Sequence, residues 1–229
     1  MPDMPTVADL FATIPARLRP LFAPDALPWA PLDGLAEFVE RRTWPGSKGK
    51  VSDSAHIEGD VEIGHGTVVG PGAVIVGPVI NGEDCLVHPH AFVRPHVVTG
   101  DRCVIGHSVE VTRSILLDDV MLAHFNYVGA SILGAGVRFG AGAKVANLRF
   151  DERPIVVEGV DTGRQKLGPF LGDACRLGVN VGVGPGVVLM PGTGFAGGWL
   201  TRSGVYDQAT VLSLWRQGQA ATGGRAVSD

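Results

Sequence analysis

Counting in sixes from Val51 lands on Val51, Ile57, Ile63, Val69, Ile75, Asn81, Val87, Val93, Thr99, Ile105, Val111, Leu117 and Ala123. Ten of these thirteen positions are Val, Ile or Leu. Neither the 3.6-residue helix nor the two-residue strand repeat gives this period. It is the signature of a parallel β-helix, in which each hexad forms one flat face and three faces close a coil of about 18 residues. The residues four further on, among them Ala55, Ala73, Cys85, Ala91, Val97, Cys103, Val109, Ile115 and Met121, are mostly small and form a second inward column. Gly64, Gly70, Gly82, Gly100 and Gly106 follow the aliphatic positions, where the chain turns a corner and a Cβ would clash. The pattern predicts an all-β fold, a left-handed parallel β-helix built from hexapeptide repeats.

Three segments follow. Residues 1–50 lack hexads and show two amphipathic runs, Val7 to Leu18 and Leu32 to Arg42, broken by prolines; they predict a short helical segment packed on the first coils. Residues 51–194 form the β-helix, with a phase break expected after Ala123 and an external loop or hairpin arm at 147–169, where the hexads stop before returning at Leu171. Residues 195–229 form a C-terminal tail with a short helix near Ala209 to Gln217.

With 45% hydrophobic residues at strict spacing, the 33 Gly and 16 Pro signal corners rather than disorder. A formal net charge of −4 offers no basic field for nucleic acid or an acidic membrane surface. No apolar run approaches the ~20 residues of a membrane span, and the acidic, proline-bearing N-terminus is unlike a signal peptide, so a cytoplasmic protein is expected. Cys85, Cys103 and Cys175 occupy inward positions and read as small core residues. A solitary β-helix exposes flat faces and corners, which predicts a homotrimer with sites between subunits.

Seven histidines invite a metal reading, but no pair has the five-residue separation used by the gamma-class carbonic anhydrases of this fold class. No metal is therefore predicted, and His88, His90, His96, His56, His65 and His107 read as surface residues. His124 lies at the expected phase break, where a side chain can be aimed into a cleft, and an imidazole suits proton removal from an attacking amine. Glu110 is its candidate partner.

The stretch running from Val93-Arg94-Pro95-His96 to Ala146-Asn147-Leu148-Arg149, with Thr162-Gly163-Arg164-Gln165-Lys166-Leu167-Gly168, resembles the acetyltransferase domain of bifunctional glucosamine-1-phosphate acetyltransferase/N-acetylglucosamine-1-phosphate uridyltransferases. It is closer still to archaeal-type sugar-1-phosphate nucleotidylyltransferases carrying such a β-helix. The nucleotidylyltransferase half is expected to be absent, since residues 1–50 are too short for it and hold no Gly-rich phosphate loop. The resemblance implies an acetyl-CoA-dependent N-acetyltransferase with His124 as general base and Glu110 orienting it. It implies Arg94 at the sugar phosphate, Tyr127, Asn147 and Lys166 at the sugar site, and Ala141 with Asn147 along the coenzyme A groove; Arg113 and Arg138 are further candidates for the acceptor at positions where this chain departs from the family pattern. Thr112 stands where the uridyltransferase-linked proteins have a phosphate-binding Lys, and Arg138 where they have Asn. The acceptor is thus an amino-sugar phosphate or a nucleotide-linked amino sugar. The alternative is a non-catalytic β-helix that binds sugar nucleotides or scaffolds a separate nucleotidylyltransferase.

Overall fold

The computed structural model describes residues 4–41 and 47–222, with side chains described to residue 217. Three parallel sheets of eight, seven and eight strands wrap into about nine turns of a left-handed β-helix. The first face runs from Lys50–Val51 to Gly194–Phe195, the second from His56–Glu58 to Gly182–Val183, and the third from Val61–Ile63 to Gly204–Tyr206. The hexads fill the prism. Val69, Ile75, Val87, Val93, Ile105 and Val111 are at most 2% exposed and share one core with the three cysteines, all of which are free thiols.

The phase break lies earlier than expected. Pairing matches Thr99 with Leu116 and Ile105 with Leu122, so the inward positions are Leu116 and Leu122, not Leu117 and Ala123. Ile115 and Met121 are not inward either: Ile115 faces out from the third sheet, and Met121 is exposed. Two corners between the second and third faces are each one residue short, Val111 to Leu116 and Val128 to Leu133, against the six-residue step from Val93 to Thr99. Single left-handed residues, Arg113 (φ 47°) and Ala130 (φ 49°), make these tight turns.

A second core covers the outside of the third face. Ile80, Val98, Ile115, Ile132, Phe170 and Val188 stand in register there, each at most 1% exposed, under Val7, Leu10, Phe11, Leu18, Phe22, Trp29, Leu35 and Val39. The covering segment is less helical than its periodicity predicts. Among the described residues only Val7–Leu10 and Leu35–Glu40 form α-helix, because Pro15, Pro20, Pro24, Pro28 and Pro31 break the remainder into turns; Arg42, the end of the second predicted run, lies outside the described residues. The segment is also pinned by polar contacts: Arg17 Nη2 donates to Thr99 O (3.0 Å) and Asp101 Oδ1 (2.7 Å), and Asp173 Oδ2 accepts from Ala12 N–H (2.9 Å).

The arm is a hairpin, Val156–Val157 antiparallel to Val160–Asp161, but it does not stand free. Ile155 and Val157 are buried against the C-terminal coils, and Ser203 Oγ donates to Val156 O (2.8 Å). The expected tail likewise contributes to the fold: Gly204–Tyr206 adds the last strand of the third face, followed by a helix over Gln208–Thr222. No helix among the described residues is long and apolar enough to cross a membrane.

Candidate functional site

Site residues gather around the second face and its two corners. At the corner with the first face, His124 pairs in register with His107, and Gly142 N–H donates to His124 O (2.9 Å), which sets Ala141 one coil further on. His124 is exposed, and its imidazole makes no side-chain hydrogen bond among the described residues. The neighbouring His107 is half-buried rather than a simple surface residue. Its Nδ1 lies 2.8 Å from Pro89 O, an atom that can only accept, so Nδ1 carries the proton; Nε2 faces Ser108 Oγ at 3.2 Å.

Asn126 fixes this corner. It is 3% exposed in an inward column otherwise filled by Val109, Ala143 and Val181. Its Nδ2 donates to Gly140 O (2.8 Å) and Ala143 O (3.0 Å), tying the coil of His124 to the coil of Ala141. The sequence reading missed it. Its signal is a polar residue in an apolar inward column.

On the face itself, Glu110 stands beside Tyr127 in the ladder. Glu110 Oε1 accepts from Arg94 Nη1 at 2.9 Å, and among the described residues it makes no hydrogen bond to His124. Arg94 stacks one coil below, its guanidinium carbon 5.9 Å from the Phe92 ring centroid, and so reaches the carboxylate directly. Thr112, the next residue but one after Glu110, is buried.

The corner between the second and third faces opens into a cleft of about 420 Å³ lined by Arg113, Asn147, Arg164 and Lys166, with Leu32, Asp33 and Leu35 of the N-terminal segment opposite. The tight turn at Arg113 sends its exposed side chain outward here. The roots of the arm are stapled together, with Leu148 bridged to Lys166 and Leu167 N–H donating to Asn147 O (2.9 Å), which brings Asn147 and Lys166 to one wall. Two glycines sit at close approaches, Gly129 against side-chain ends and Gly168 against backbone, where a Cβ cannot be accommodated. A Cβ on Gly129 would lie 2.5 Å from the Tyr127 hydroxyl and 2.6 Å from Asn147 Nδ2, so Gly129 is where face and cleft meet. A Cβ on Gly168 would lie 2.2 Å from Gly129 O. Arg164 hydrogen-bonds Asp33, and His96 Nε2 lies 3.2 Å from Glu40 Oε1 on the same rim.

The structure thus joins Arg94, Glu110 and Tyr127 on the face with Arg113, Asn147 and Lys166 at one corner, and sets His124 with Ala141 at the other. Arg138 stands apart. It is exposed on the first face in a column with Met121 and Arg176, with Nη1 3.3 Å from Met121 Sδ. Of the seven histidines, His56 lies on the second face, His65 at the corner between the third and first faces and the others at the two corners of the second face, and among the described residues no three His, Cys, Asp or Glu side chains converge on one point.

Comparison with known proteins agrees with this architecture. Residues 75–167 match the family described as the GMPPB C-terminal domain. The bifunctional sugar-1-phosphate nucleotidylyltransferase/acetyltransferase of Sulfurisphaera tokodaii is 38% identical over 164 residues, covering 70% of this chain and 41% of that protein. The bifunctional protein GlmU of Methanococcus maripaludis is 40% identical over 164 residues, 70% of this chain and 39% of that one. The GlmU of Methanocaldococcus jannaschii is 38% identical over 144 residues, 61% of this chain and 35% of that one. The chain therefore matches these curated relatives over roughly two fifths of their length or less. Through its β-helix, the chain is similar to the GMPPB C-terminal domain and to part of these bifunctional sugar-1-phosphate nucleotidylyltransferase/acetyltransferases.

Proposed function

We propose that this chain is a hexapeptide-repeat acyltransferase that moves the acetyl group of acetyl-CoA onto the amine of an amino-sugar phosphate or a nucleotide-linked amino sugar. The observation that carries the reading is the grouping around a single face: an unencumbered imidazole at one edge, and a cleft with three cations and an amide at the other. That is the minimum such a reaction needs, a proton acceptor and a grip on an anionic acceptor. The names of the relatives support acetyl transfer.

In this reading His124 takes the proton that the amine loses as it attacks the thioester carbonyl. The new C–N bond forms, the C–S bond breaks, and coenzyme A leaves as a thiolate that recovers the proton. Acetyl-CoA is a co-substrate, and the Gly140-Ala141-Gly142 corner suits it: Ala141 is half-exposed and carries no bulk to keep a long, thin ligand from the backbone. Glu110 acts through Arg94 and the acceptor rather than through His124. Copies of the chain form a trimer whose neighbours close the open second-face site, because the core of the prism is filled and leaves no room for two substrates. A cytoplasmic setting, where acetyl-CoA is made and used, goes with this reading.

The test is release of free thiol from acetyl-CoA across a panel of amino-sugar phosphates and nucleotide-linked amino sugars. His124→Ala should lower the rate by ~10² to 10⁴ with the fold intact. One observation favours the second reading, a non-catalytic sugar-nucleotide-binding or scaffolding partner of a nucleotidylyltransferase: no carboxylate hydrogen-bonds His124 among the described residues. Binding of sugar phosphate without thiol release, equal in parent and His124→Ala, would establish that reading instead.

A further inference from the structure

Arg138 is a sequence-predicted site residue that neither the second face nor the cleft takes up, and it does not stand alone. It pairs in register with Arg176 on the next coil of the first face, so two guanidinium side chains leave neighbouring strands on the same outward side, about 4.8 Å apart at the backbone. Like charges in that relation repel and destabilise a sheet. No carboxylate relieves them among the described residues: Arg138 Nη1 meets Met121 Sδ at 3.3 Å, and the Arg176 guanidinium makes no hydrogen bond or ion pair. Asp119, whose carboxyl feels the charge of Arg138, gives both oxygens to Arg102 at 2.8 Å each. Both arginines are exposed, and each lies two residues before the corner between the first and second faces, which begins at Gly140 on one coil and at Gly178 on the next. Across that corner Lys144 Nζ donates to Gly142 O (3.0 Å), so its second-face side is cationic too.

We propose that Arg138 and Arg176 bind the phosphates of the acyl donor, and so select coenzyme A over a donor that carries its thioester on pantetheine alone. The proposal rests on the reading of acetyl-CoA as co-substrate along the Gly140-Ala141-Gly142 corner, and it adds which residues of this chain hold the donor's charged end. The groups of coenzyme A run in the order thioester, pantetheine, diphosphate, phosphorylated nucleoside. With the thioester at His124, the phosphates trail it by the length of the pantetheine arm and fall on the coils beyond. The arginines stand on those coils: Arg138 is one coil past Met121, which shares the strand of His124, and Arg176 is two, about 5 and 10 Å along the axis. A column of cations suits a chain of phosphates, and each guanidinium offers paired N–H donors to phosphate oxygens. Bound phosphate bridges two cations that otherwise repel one another.

The test is calorimetric titration of the full chain with coenzyme A, dephospho-coenzyme A and pantetheine, without any sugar. Coenzyme A should bind about tenfold or more tightly than pantetheine, with dephospho-coenzyme A between them. Arg138→Gln and Arg176→Gln should each weaken coenzyme A about five- to tenfold and leave pantetheine unmoved, and Arg176→Lys should restore part of the loss. Arg19→Gln, at an exposed position of the N-terminal segment, should change none of the three, which separates a local contact from net charge. Thermal unfolding of ligand-free Arg138→Gln and Arg176→Gln should match the parent or lie slightly above it, since the like-charge contact is relieved. Coenzyme A binding that is unchanged in both variants, or a loss that pantetheine shares, would overturn the proposal while leaving acetyl-CoA as the co-substrate. Failure of the parent to bind coenzyme A would overturn this proposal and the acetyl-CoA reading together.

Discussion

Asn126 is the residue whose replacement best separates the stability of the coil from the geometry at His124. Its side-chain amide donates two hydrogen bonds, to Gly140 O and Ala143 O, while its Oδ1 is buried without a partner among the described residues. Two such bonds contribute about 1 kcal/mol each, and an unpartnered buried carbonyl costs about 1–3 kcal/mol. Valine in its place loses the first contribution and removes the second cost. It also fits the column, where Val109 and Val181 occupy the neighbouring coils. Asn126→Val should therefore leave stability within about 1 kcal/mol of the parent in urea denaturation, whereas Asn126→Ala, which also leaves a void, should cost about 2 kcal/mol. Both variants release the strap between the coils of His124 and Ala141. Under the proposed mechanism kcat should fall about tenfold, with KM for the acceptor unmoved, since the acceptor grip lies at the opposite corner. If Asn126→Val loses more than about 3 kcal/mol, Oδ1 has a favourable role that this argument omits. If kcat is unchanged in both variants, the strap does not position His124.

Phe170→Ala should cost about 3–5 kcal/mol in chemical denaturation, since Phe170 is fully buried with its ring centroid 6.1 Å from that of Trp29; a loss below about 1 kcal/mol would mean the N-terminal segment is not seated on the third face. Burial tends to raise the Asp101 carboxyl, but the Glu83 N–H and the Arg17 and Arg102 guanidiniums outweigh it and hold the group below the usual carboxylate range. Its stabilising contribution is thus present above the ordinary carboxylate pKa and lost as pH falls through the lowered folded value, so Asp101→Asn should flatten the acid limb of the stability profile below about pH 4. An unchanged acid limb would refute that linkage. Burial pushes the Cys175 thiol up to about 12, so iodoacetamide at pH 8 should leave Cys175 unlabelled until the chain unfolds. Sedimentation should give about three times 23.9 kDa, and a monomer at micromolar concentration would sink the shared-site proposal.

The inner core was legible because a six-residue side-chain period has one structural solution. The register shift was not, and its cause is local. Ile115-Leu116-Leu117 presents an apolar residue in either register, as do Val120, Met121 and Leu122, so the count in sixes runs through the shortened corner without a visible fault. Arg113 (φ 47°) turns the shortened corner just as His96 (φ 62°) turns the full-length one, so neither residue type warns of the shift. The covered third face was written in the sequence at a longer period. Ile80 and Val98 recur eighteen residues apart on the outward side, Ile115 and Ile132 at the shortened spacing of seventeen, and Phe170 and Val188 resume eighteen. At the site, hexad register explains why Glu110 adjoins Tyr127. Arg94, one coil away, had been read as a phosphate ligand, so its claim on the Glu110 carboxylate went unseen. Arg164 and Asp33 escaped because hexads say nothing of how an N-terminal segment and an arm meet.

Sealing the third face also restricts how copies of this chain can meet. A three-sided prism offers three outward surfaces, and here one is occupied by residues of the same chain. The first face keeps an apolar ladder, with Val68, Leu86, Val104 and Met121 in register on successive coils; Val68, Leu86 and Met121 are each about two fifths exposed. Strands stack about 4.8 Å apart, so the ladder extends over about 15 Å, too long a run to count as isolated surface residues. Beyond it the same column turns to Arg138 and Arg176, which resist burial unless paired. A neighbouring copy seated on this ladder would lie beside the corner of His124 and Ala141, at the opposite edge of the second face from the cationic cleft. Such an arrangement would leave the cleft open to solvent while bringing a second surface to the side where a thin co-substrate would lie, and Arg138 would then stand at the boundary between copies.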